Sequence, residues 1–380
     1  MRKKMVDRSS LAIGTRVLVL VAAAFVYPRG AAPQKTPPEL RENQPAETVF
    51  KNIQALKGMP AGDLQGAMSF IASSLNVDCD HCHVQDFSKD ERKEKLRARE
   101  MIRMVRQINE ESFEGKNTVN CFTCHQGHAE PMALAPIVPP PPRATEAASG
   151  KPAGPPLPSV REVLGRYVLA LGGQEALDRV KSRILKTVRL DGGNSGSVTM
   201  IFQKGPGRVL RSRESPGYSL WVGSNGTHAW AEDSLKSYWG LLNTFEQHAI
   251  LRDAEMYQGS RLESQYSSVK VKAAEKLQDE DTYVVSGTSP EGTSEDFYFS
   301  VETGLLLGRH IEEQTVFGGF QVRADFEDYR EIGGVKMPFV VKWSSPGGAW
   351  GTRTSFKVLD VQQNENIPDE KFEGPPSKSR

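Results

Sequence analysis

The pentapeptides Cys79-Asp80-His81-Cys82-His83 and Cys121-Phe122-Thr123-Cys124-His125 use all four cysteines of this 380-residue chain. Both read C-x-x-C-H, the attachment signature of c-type haem. On a helical turn, positions i, i+3 and i+4 share one face. Two thiols placed this way bond the two vinyl carbons of one porphyrin while the adjacent imidazole reaches its iron. Other uses of the cysteines suit the pattern less well. A zinc site built from two C-x-x-C pairs usually has a spacer of about 15–20 residues. Here 38 residues separate Cys82 from Cys121, and zinc needs no histidine after each pair. A thioredoxin-like redox pair needs a βαβ context, which is lacking. Structural disulfides stay open in an exported chain. The motifs thus predict two covalently bound haems, with Cys79, Cys82, Cys121 and Cys124 as anchors and His83 and His125 as proximal iron ligands. His81, between two anchor residues, is expected to face solvent.

Each pentapeptide follows a methionine-bearing helical pattern. Leu64, Met68, Ile71 and Leu75 form one apolar stripe behind Pro60, which suits a first helical turn. Eleven positions after Met68 comes Cys79. A second helix is expected from about Asp90 to Phe113, with Met101, Met104, Val105 and Ile108 on one face, and Cys121 follows Met101 by 20 positions. The unit of helix, loop and pentapeptide is therefore repeated once. A thioether is a suitable sixth ligand for a haem iron and raises its potential relative to bis-histidine ligation. Periodicity alone leaves each methionine between ligand and packing residue, packing being the commoner use. The run Lys89–Arg106 holds eight basic and four acidic residues. It reads as a solvated helix face with i,i+4 pairs such as Glu91–Lys95, and alternatively as a docking surface for an acidic redox partner.

Residues Val49–Pro131 resemble the cytochrome subunit of photosynthetic reaction centres, a family of multihaem c-type proteins. The resemblance is carried by Ala67-Met68-Ser69-Phe70-Ile71 ahead of the first pentapeptide. It continues in Ala98-Arg99-Glu100-Met101-Ile102-Arg103-Met104-Val105-Arg106-Gln107-Ile108-Asn109, then in Val119-Asn120, the second pentapeptide and Gln126-Gly127. It implies that the sixth ligand comes from the first methionine of each helix, Met68 and Met101, leaving Met104 as packing. It also implies an electron carrier rather than an enzyme, with redox partner proteins that include a membrane-bound electron-transfer complex. Photosynthetic members carry two such haem pairs and often a lipid-modified N-terminal cysteine. This chain has one pair and no such cysteine, so a respiratory or other extracytoplasmic role fits equally. A haem enzyme such as a diheme peroxidase, with one iron left open, is the rival reading.

The rest of the chain agrees with export. Arg2, Lys3 and Lys4 precede an apolar run from Val17 to Tyr27, and Gly30-Ala31-Ala32 offers a small-x-small cleavage site, the layout of a secretory signal. The run is shorter than the ~20 residues that span a bilayer, with an uncleaved anchor as the alternative. A periplasmic or other extracytoplasmic location follows. With 38% hydrophobic and 25% charged residues the chain is globular, and a net charge of +1 gives no electrostatic argument for nucleic acid. The expected division is a signal at 1–32, a linker at 33–46, a diheme domain at 47–131, a Pro-rich linker at 132–158 and a β domain at 159–380.

The β domain is announced by a change of period. Ser159 opens a helix through Leu171, ended by Gly172-Gly173, and a second turn runs through Val180. After Ser182 the period becomes two. Short apolar runs then alternate with turn signals such as Asn225-Gly226, Thr303-Gly304 and Gly333-Gly334. The runs are Ile184–Leu190, Val198–Phe202, Val209–Ser212, Tyr218–Val222, His228–Trp230, Val269–Ala273, Tyr283–Ser286, Asp296–Ser300, Leu305–His310, Phe320–Tyr329, Phe339–Ser344 and Thr354–Leu359. Leu241–Gly259 is expected to hold a helix lying on the sheet. The fold class is therefore α+β: an all-α diheme module, a Pro-rich linker, and an antiparallel meander with short helices. Gly223-Ser224-Asn225-Gly226-Thr227 before Trp230, and Phe326-Glu327-Asp328-Tyr329 before Gly334-Val335-Lys336-Met337-Pro338-Phe339, resemble the LolA-like architecture. That resemblance implies envelope or lipid contact through the β domain, and with it a further reading as a lipophilic-ligand binder with the haems as redox sensor. Trp221, Trp230, Trp239, Trp343 and Trp350 read as sheet core.

Overall fold

The computed structural model describes residues 43–84, 86–131, 156–191, 196–215, 218–233, 244–290, 292–344 and 353–374. The expected export signal, most of the Pro-rich stretch, Trp239 and Trp350 lie outside them. The described residues all belong to one compact unit.

Helices occupy the N-terminal part and one antiparallel sheet the C-terminal part, an α+β architecture. The N-terminal helices are α1 (Ala46–Val49), α2 (Leu64–Leu75), α3 (Lys93–Ser112) and α4 (Cys121–His125). Helix α2 follows Pro60 and a 3₁₀ turn at Ala61–Asp63, and ends at Asn76 in the left-handed conformation (φ 56°). Its tightly buried side is Ala67, Ser69, Phe70, Ser73 and Ser74. The predicted stripe of Leu64, Met68, Ile71 and Leu75 is only half-buried and faces a cavity instead. A small core of Ala55, Leu56, Met59, Ala67 and Ile102 joins α2 to α3.

Ser159 then opens α5 (Val160–Leu171) through a capping box. Its Oγ accepts from the Glu162 N–H, and Glu162 accepts in return from the Ser159 N–H at 2.6 Å. After α6 (Gln174–Arg179) come five strands: β1 (Ser182–Arg189), β2 (Val198–Lys204), β3 (Arg208–Ser215), β4 (Tyr218–Asn225) and β5 (Ala229–Asp233). Helices α7 (Thr244–Asp253) and α8 (Leu262–Gln265) lead to seven more: β6 (Ser268–Leu277), β7 (Glu280–Thr288), β8 (Ser294–Ser300), β9 (Leu306–Thr315), β10 (Gly318–Ile332), β11 (Val335–Ser344) and β12 (Arg353–Gln363).

The twelve strands are not a single meander. Their order is β5-β4-β3-β2-β1-β12-β11-β10-β9-β8-β7-β6. Two meanders are joined where β1 pairs with β12, and the connection through α7 and α8 links opposite edges.

Period two sorts the side chains cleanly. One cross-strand row runs Leu185, Ile201, Arg211, Val222 and Ala231, and all five line the concave cavity. The neighbouring row runs Ile184, Phe202, Leu210, Gly223 and Trp230 on the opposite face. There Leu210 packs with Ile367 and Phe372, and the Trp230 Nε1–H donates to the Phe372 carbonyl at 3.0 Å. Gly223 is required in this row, since a Cβ would lie 2.5 Å from the Trp230 ring. The main core lies under α5, α6 and α8, where Leu164, Tyr167, Leu177 and Leu262 meet Val285, Phe297, Phe299 and Leu306.

Candidate haem-binding site

The first pentapeptide forms a 3₁₀ turn at Cys79–His81. The His83 N–H donates to the Cys79 carbonyl at 2.9 Å, an i→i+4 bond that puts Cys79, Cys82 and His83 on one face. The second pentapeptide is α4 itself. Asn120 caps it by accepting from the Thr123 N–H at 3.2 Å, while Thr123 Oγ1 accepts from the Asn120 N–H at 3.1 Å. One variable position of the motif thus builds the turn that displays the others. Gln126 ends the helix at φ 49°, and the Gly127 N–H donates to the Ser74 carbonyl of α2 at 2.9 Å. The second pentapeptide is thereby fastened to the first methionine helix.

The approach to each motif is held by side chains. Asn109, buried on α3, donates to the Val119 carbonyl at 2.7 Å and accepts from the Val119 N–H at 2.9 Å, which fixes the loop before Cys121. Asp90 fixes the loop after His83. It accepts from both Arg99 nitrogens at 2.9 Å, from Asn52 at 2.9 Å, and pairs with Lys95 at 3.0 Å. These donors, Arg99 foremost, hold its carboxyl well below the usual carboxylate range. Lys95 also donates to the Phe87 and Lys89 carbonyls. The pairing expected between Glu91 and Lys95 is replaced by this hub, because helix α3 begins only at Lys93 and leaves Glu91 outside the helical i,i+4 relation.

The two imidazoles are held differently. His125 Nδ1 lies 2.9 Å from the His128 carbonyl. A carbonyl only accepts, so Nδ1 donates to it, the usual outer-shell arrangement in which Nε2 is the atom turned to a metal. His128 contributes through its backbone carbonyl, which residue identity does not reveal. His83 stacks on Phe87 with ring centroids 4.7 Å apart. Burial, with Lys95 adding to it, pushes its pKa down and favours the neutral ring. Its Nδ1 is buried without a hydrogen-bond partner.

Met68, Cys79, Cys82, His83, Met101, Cys121, Cys124 and His125 all line one cavity of about 2140 Å³. Met101 is half-buried and Met104, also on the cavity wall, is 41% exposed. His81 is half-buried and lines the cavity too, so it is less solvent-facing than its place in the motif suggests. The four thiols are unpaired. Burial pushes Cys79 and Cys82 up, and Cys121 up to about 11, the wrong direction for a redox-active pair. Among the described residues no group of three or more His, Cys, Asp or Glu converges as a metal cage. A porphyrin anchored through two sulfurs, with an imidazole on the same turn, fits this donor set; a shared tetrahedral zinc does not.

Two C-x-x-C-H pentapeptides, the attachment signature of c-type haem, thus line one cavity. Comparison with known proteins agrees. Residues 20–153 match the family model of the photosynthetic reaction centre cytochrome C subunit, so the resemblance read from the N-terminal region is shown there. Cytochrome c-554 of Chloroflexus aurantiacus is 37% identical over 82 residues, covering 20% of each chain. The photosynthetic reaction center cytochrome c subunit of Rubrivivax gelatinosus is 26% identical over 111 residues, covering 28% of this chain and 30% of that one. The chain thus spans less than a third of the length of either relative. Among solved structures, a DUF1329 family protein from Desulfovibrio piger aligns with 56% of this chain and 97% of its own at 13% identity and a TM-score of 0.40. A LolA superfamily protein from Nitrosomonas europaea aligns with 57% of this chain and 98% of its own at 13% identity and a TM-score of 0.37. Among the described residues no helix is long and apolar enough to cross a membrane.

Proposed function

We propose that the protein is an extracytoplasmic electron carrier holding two covalently bound haems. Cys79 and Cys82 anchor the first, with His83 and Met68 as axial ligands. Cys121 and Cys124 anchor the second, with His125 and Met101. The observation that carries this reading is the convergence of all eight side chains on one cavity. Bound haem would supply an iron that gains and loses one electron. The rest is the work of the chain. The thioethers keep the group from dissociating, and the His128 carbonyl orients the His125 ring. Leu64, Ile71 and Leu75 keep water from the cavity wall, and methionine sulfur favours the reduced iron. With a histidine and a methionine available to hold each iron, these residues would favour electron transfer over bond chemistry. Residues 47–131 act as the haem-bearing module and 159–380 as its β module, after export directed by residues 1–32. A membrane-bound electron-transfer complex is the partner that the family description suggests.

The test is spectroscopic. A pyridine haemochrome assay gives two haems per chain, and the ferric protein shows the methionine–iron charge-transfer band and binds cyanide slowly. One haem per chain, a missing band or immediate cyanide binding overturns the proposal. A second reading, a lipophilic-ligand site in the β module, is favoured by Leu185, Ile201, Val222 and Ala231, the apolar members of the concave row that also holds Arg211. Purified protein that carries no extractable lipid would sink it.

A further inference from the structure

The hairpin between β9 and β10 is shaped to reach the N-terminal helices. Thr315 pairs with Gly318, leaving a two-residue tip, Val316-Phe317. The tip is stiff: Thr315 Oγ1 donates to the Gly318 carbonyl at 2.7 Å and accepts from the Phe317 N–H at 3.2 Å. Hairpin tips are usually polar because they meet solvent. This one carries a phenylalanine, and the ring is half-buried. It packs against the core of Ala55, Leu56, Met59, Ala67 and Ile102, the same core against which Met68 packs. It also packs with Phe70, ring centroids 6.5 Å apart, in a cluster that includes Cys121. Two neighbouring contacts fix the approach. Asn117 donates to the Val316 carbonyl at 2.6 Å, and a Cβ on Gly66 of α2 would sit 3.5 Å from Thr315 Cγ2.

The core that seats α2 is therefore completed by a residue from the sheet. We infer that Phe317 is a positioning residue for Met68: by wedging between the α2–α3 core and Phe70, it fixes the roll of α2 that presents the thioether to the iron of the first haem. The inference rests on the haem reading above. An iron–thioether bond is weak, so a small roll of α2 breaks it while the covalent thioether anchors at Cys79 and Cys82 keep the haem attached.

The test uses the full holoprotein. Phe317→Ala keeps two haems per chain by pyridine haemochrome and keeps its far-ultraviolet circular dichroism. It loses about half of the methionine–iron band, and one of the two midpoint potentials falls, because methionine ligation is what raises it. Phe317→Leu, which restores an apolar filler, recovers the band. Gly66→Val crowds the neighbouring Thr315 contact from α2, displacing the same hairpin, and gives the same half-loss, should Phe317→Ala not accumulate. Full bands and unchanged potentials in Phe317→Ala, or in Gly66→Val where only that variant folds, overturn the inference. So does equal loss at both haems. Wild-type protein lacking two haems or lacking the band is a distinct result, which fails the haem reading and takes this inference with it.

Discussion

Replacing Gly318 by alanine tests how firmly the hairpin is clamped against the haem-bearing segment. Gly318 has φ +141°, a conformation that L side chains rarely adopt, and holding one there costs about 1–3 kcal/mol. The added Cβ would lie 3.0 Å from Phe70 Cε2 and 3.2 Å from Asn120 Nδ2. Phe70 is only 2% exposed, so its ring cannot swing away, and overpacking of this kind costs about 1–3 kcal/mol. Together the variant should lose roughly 2–6 kcal/mol of stability. Gly115 is the control. It has φ +75° with nothing within 4 Å of a built Cβ, so Gly115→Ala bears only the backbone cost, about 1–2 kcal/mol. Urea denaturation of both variants, followed by circular dichroism with m unchanged, reads the difference. Displacing Asn120 also breaks the cap that forms α4, so covalent haem at Cys121 and Cys124 should fall in Gly318→Ala alone. Stability losses equal within about 0.5 kcal/mol, with haem content unchanged, would refute the clamp.

Three further outcomes follow from particular contacts. Glu295 is fully buried and accepts from Arg309 at 2.7 Å and 2.9 Å, from Arg252 at 3.1 Å and from Tyr266 Oη at 2.6 Å. Glu295→Ala takes the shared carboxylate from two buried guanidinium groups, Arg309 keeping Asp253, and should cost about 3 kcal/mol; a denaturation midpoint close to that of wild type would contradict this. Asn109→Ala removes both hydrogen bonds to Val119, worth about 1 kcal/mol each, and should lower haem occupancy of the second pentapeptide in peptide mass spectra while sparing the first. Burial, with Asp253 and Glu295 adding to it, raises the Glu313 carboxyl from 4.5 to about 7, outweighing Arg309 and Arg252. The folded chain keeps that proton after the unfolded chain has released it. Unfolding free energy therefore falls as pH rises from about 4.5 to about 7, and Glu313→Gln should flatten that slope; parallel stability profiles for the two proteins would show the carboxyl to be ordinary.

Local periods were legible, and long-range docking was not. Each of the twelve predicted apolar runs overlaps an observed strand, because alternation along a strand is set by which face is buried. The helix on Leu64, Met68, Ile71 and Leu75 was legible for the same reason. The meaning of its stripe was not, since those residues face the cavity while Ala67, Ser69, Ser73 and Ser74 allow close packing behind them. Turn signals describe only neighbouring strands, so the pairing of β1 with β12 left no mark in the local pattern. The Pro-rich stretch reads as a spacer between independent parts, yet the N-terminal helices and the sheet share the cluster of Phe70, Ile311, Phe320 and Val322. Phe317 is one apolar residue in a tight turn, with no periodicity to mark it. The two pentapeptides were the most legible feature of all, because a fixed C-x-x-C-H spacing stands apart from any packing period.

The charges on the concave face carry an argument that the apolar pattern cannot. Arg252 and Asp253 end α7, the helix that connects the two edges of the sheet. Asp253 pairs with Arg309 of β9 at 2.6 Å and approaches Arg211 of β3 at 4.0 Å, while Arg252 pairs with Glu295 of β8. Burial alone would raise the Asp253 carboxyl, but Arg309 and Arg211 outweigh it and keep it ionised. Burying such pairs carries a desolvation cost comparable to their attraction, so an apolar cluster of equal volume would be as stable. What the ionic set supplies is a unique geometry. Apolar side chains could slide past one another and let the two meanders collapse onto the concave face. Asp253 meeting guanidinium groups from β3 and β9, and Arg252 meeting the carboxylate from β8, hold α7 across it at one position. The concave cavity is thereby bounded by buried charges as well as by apolar side chains.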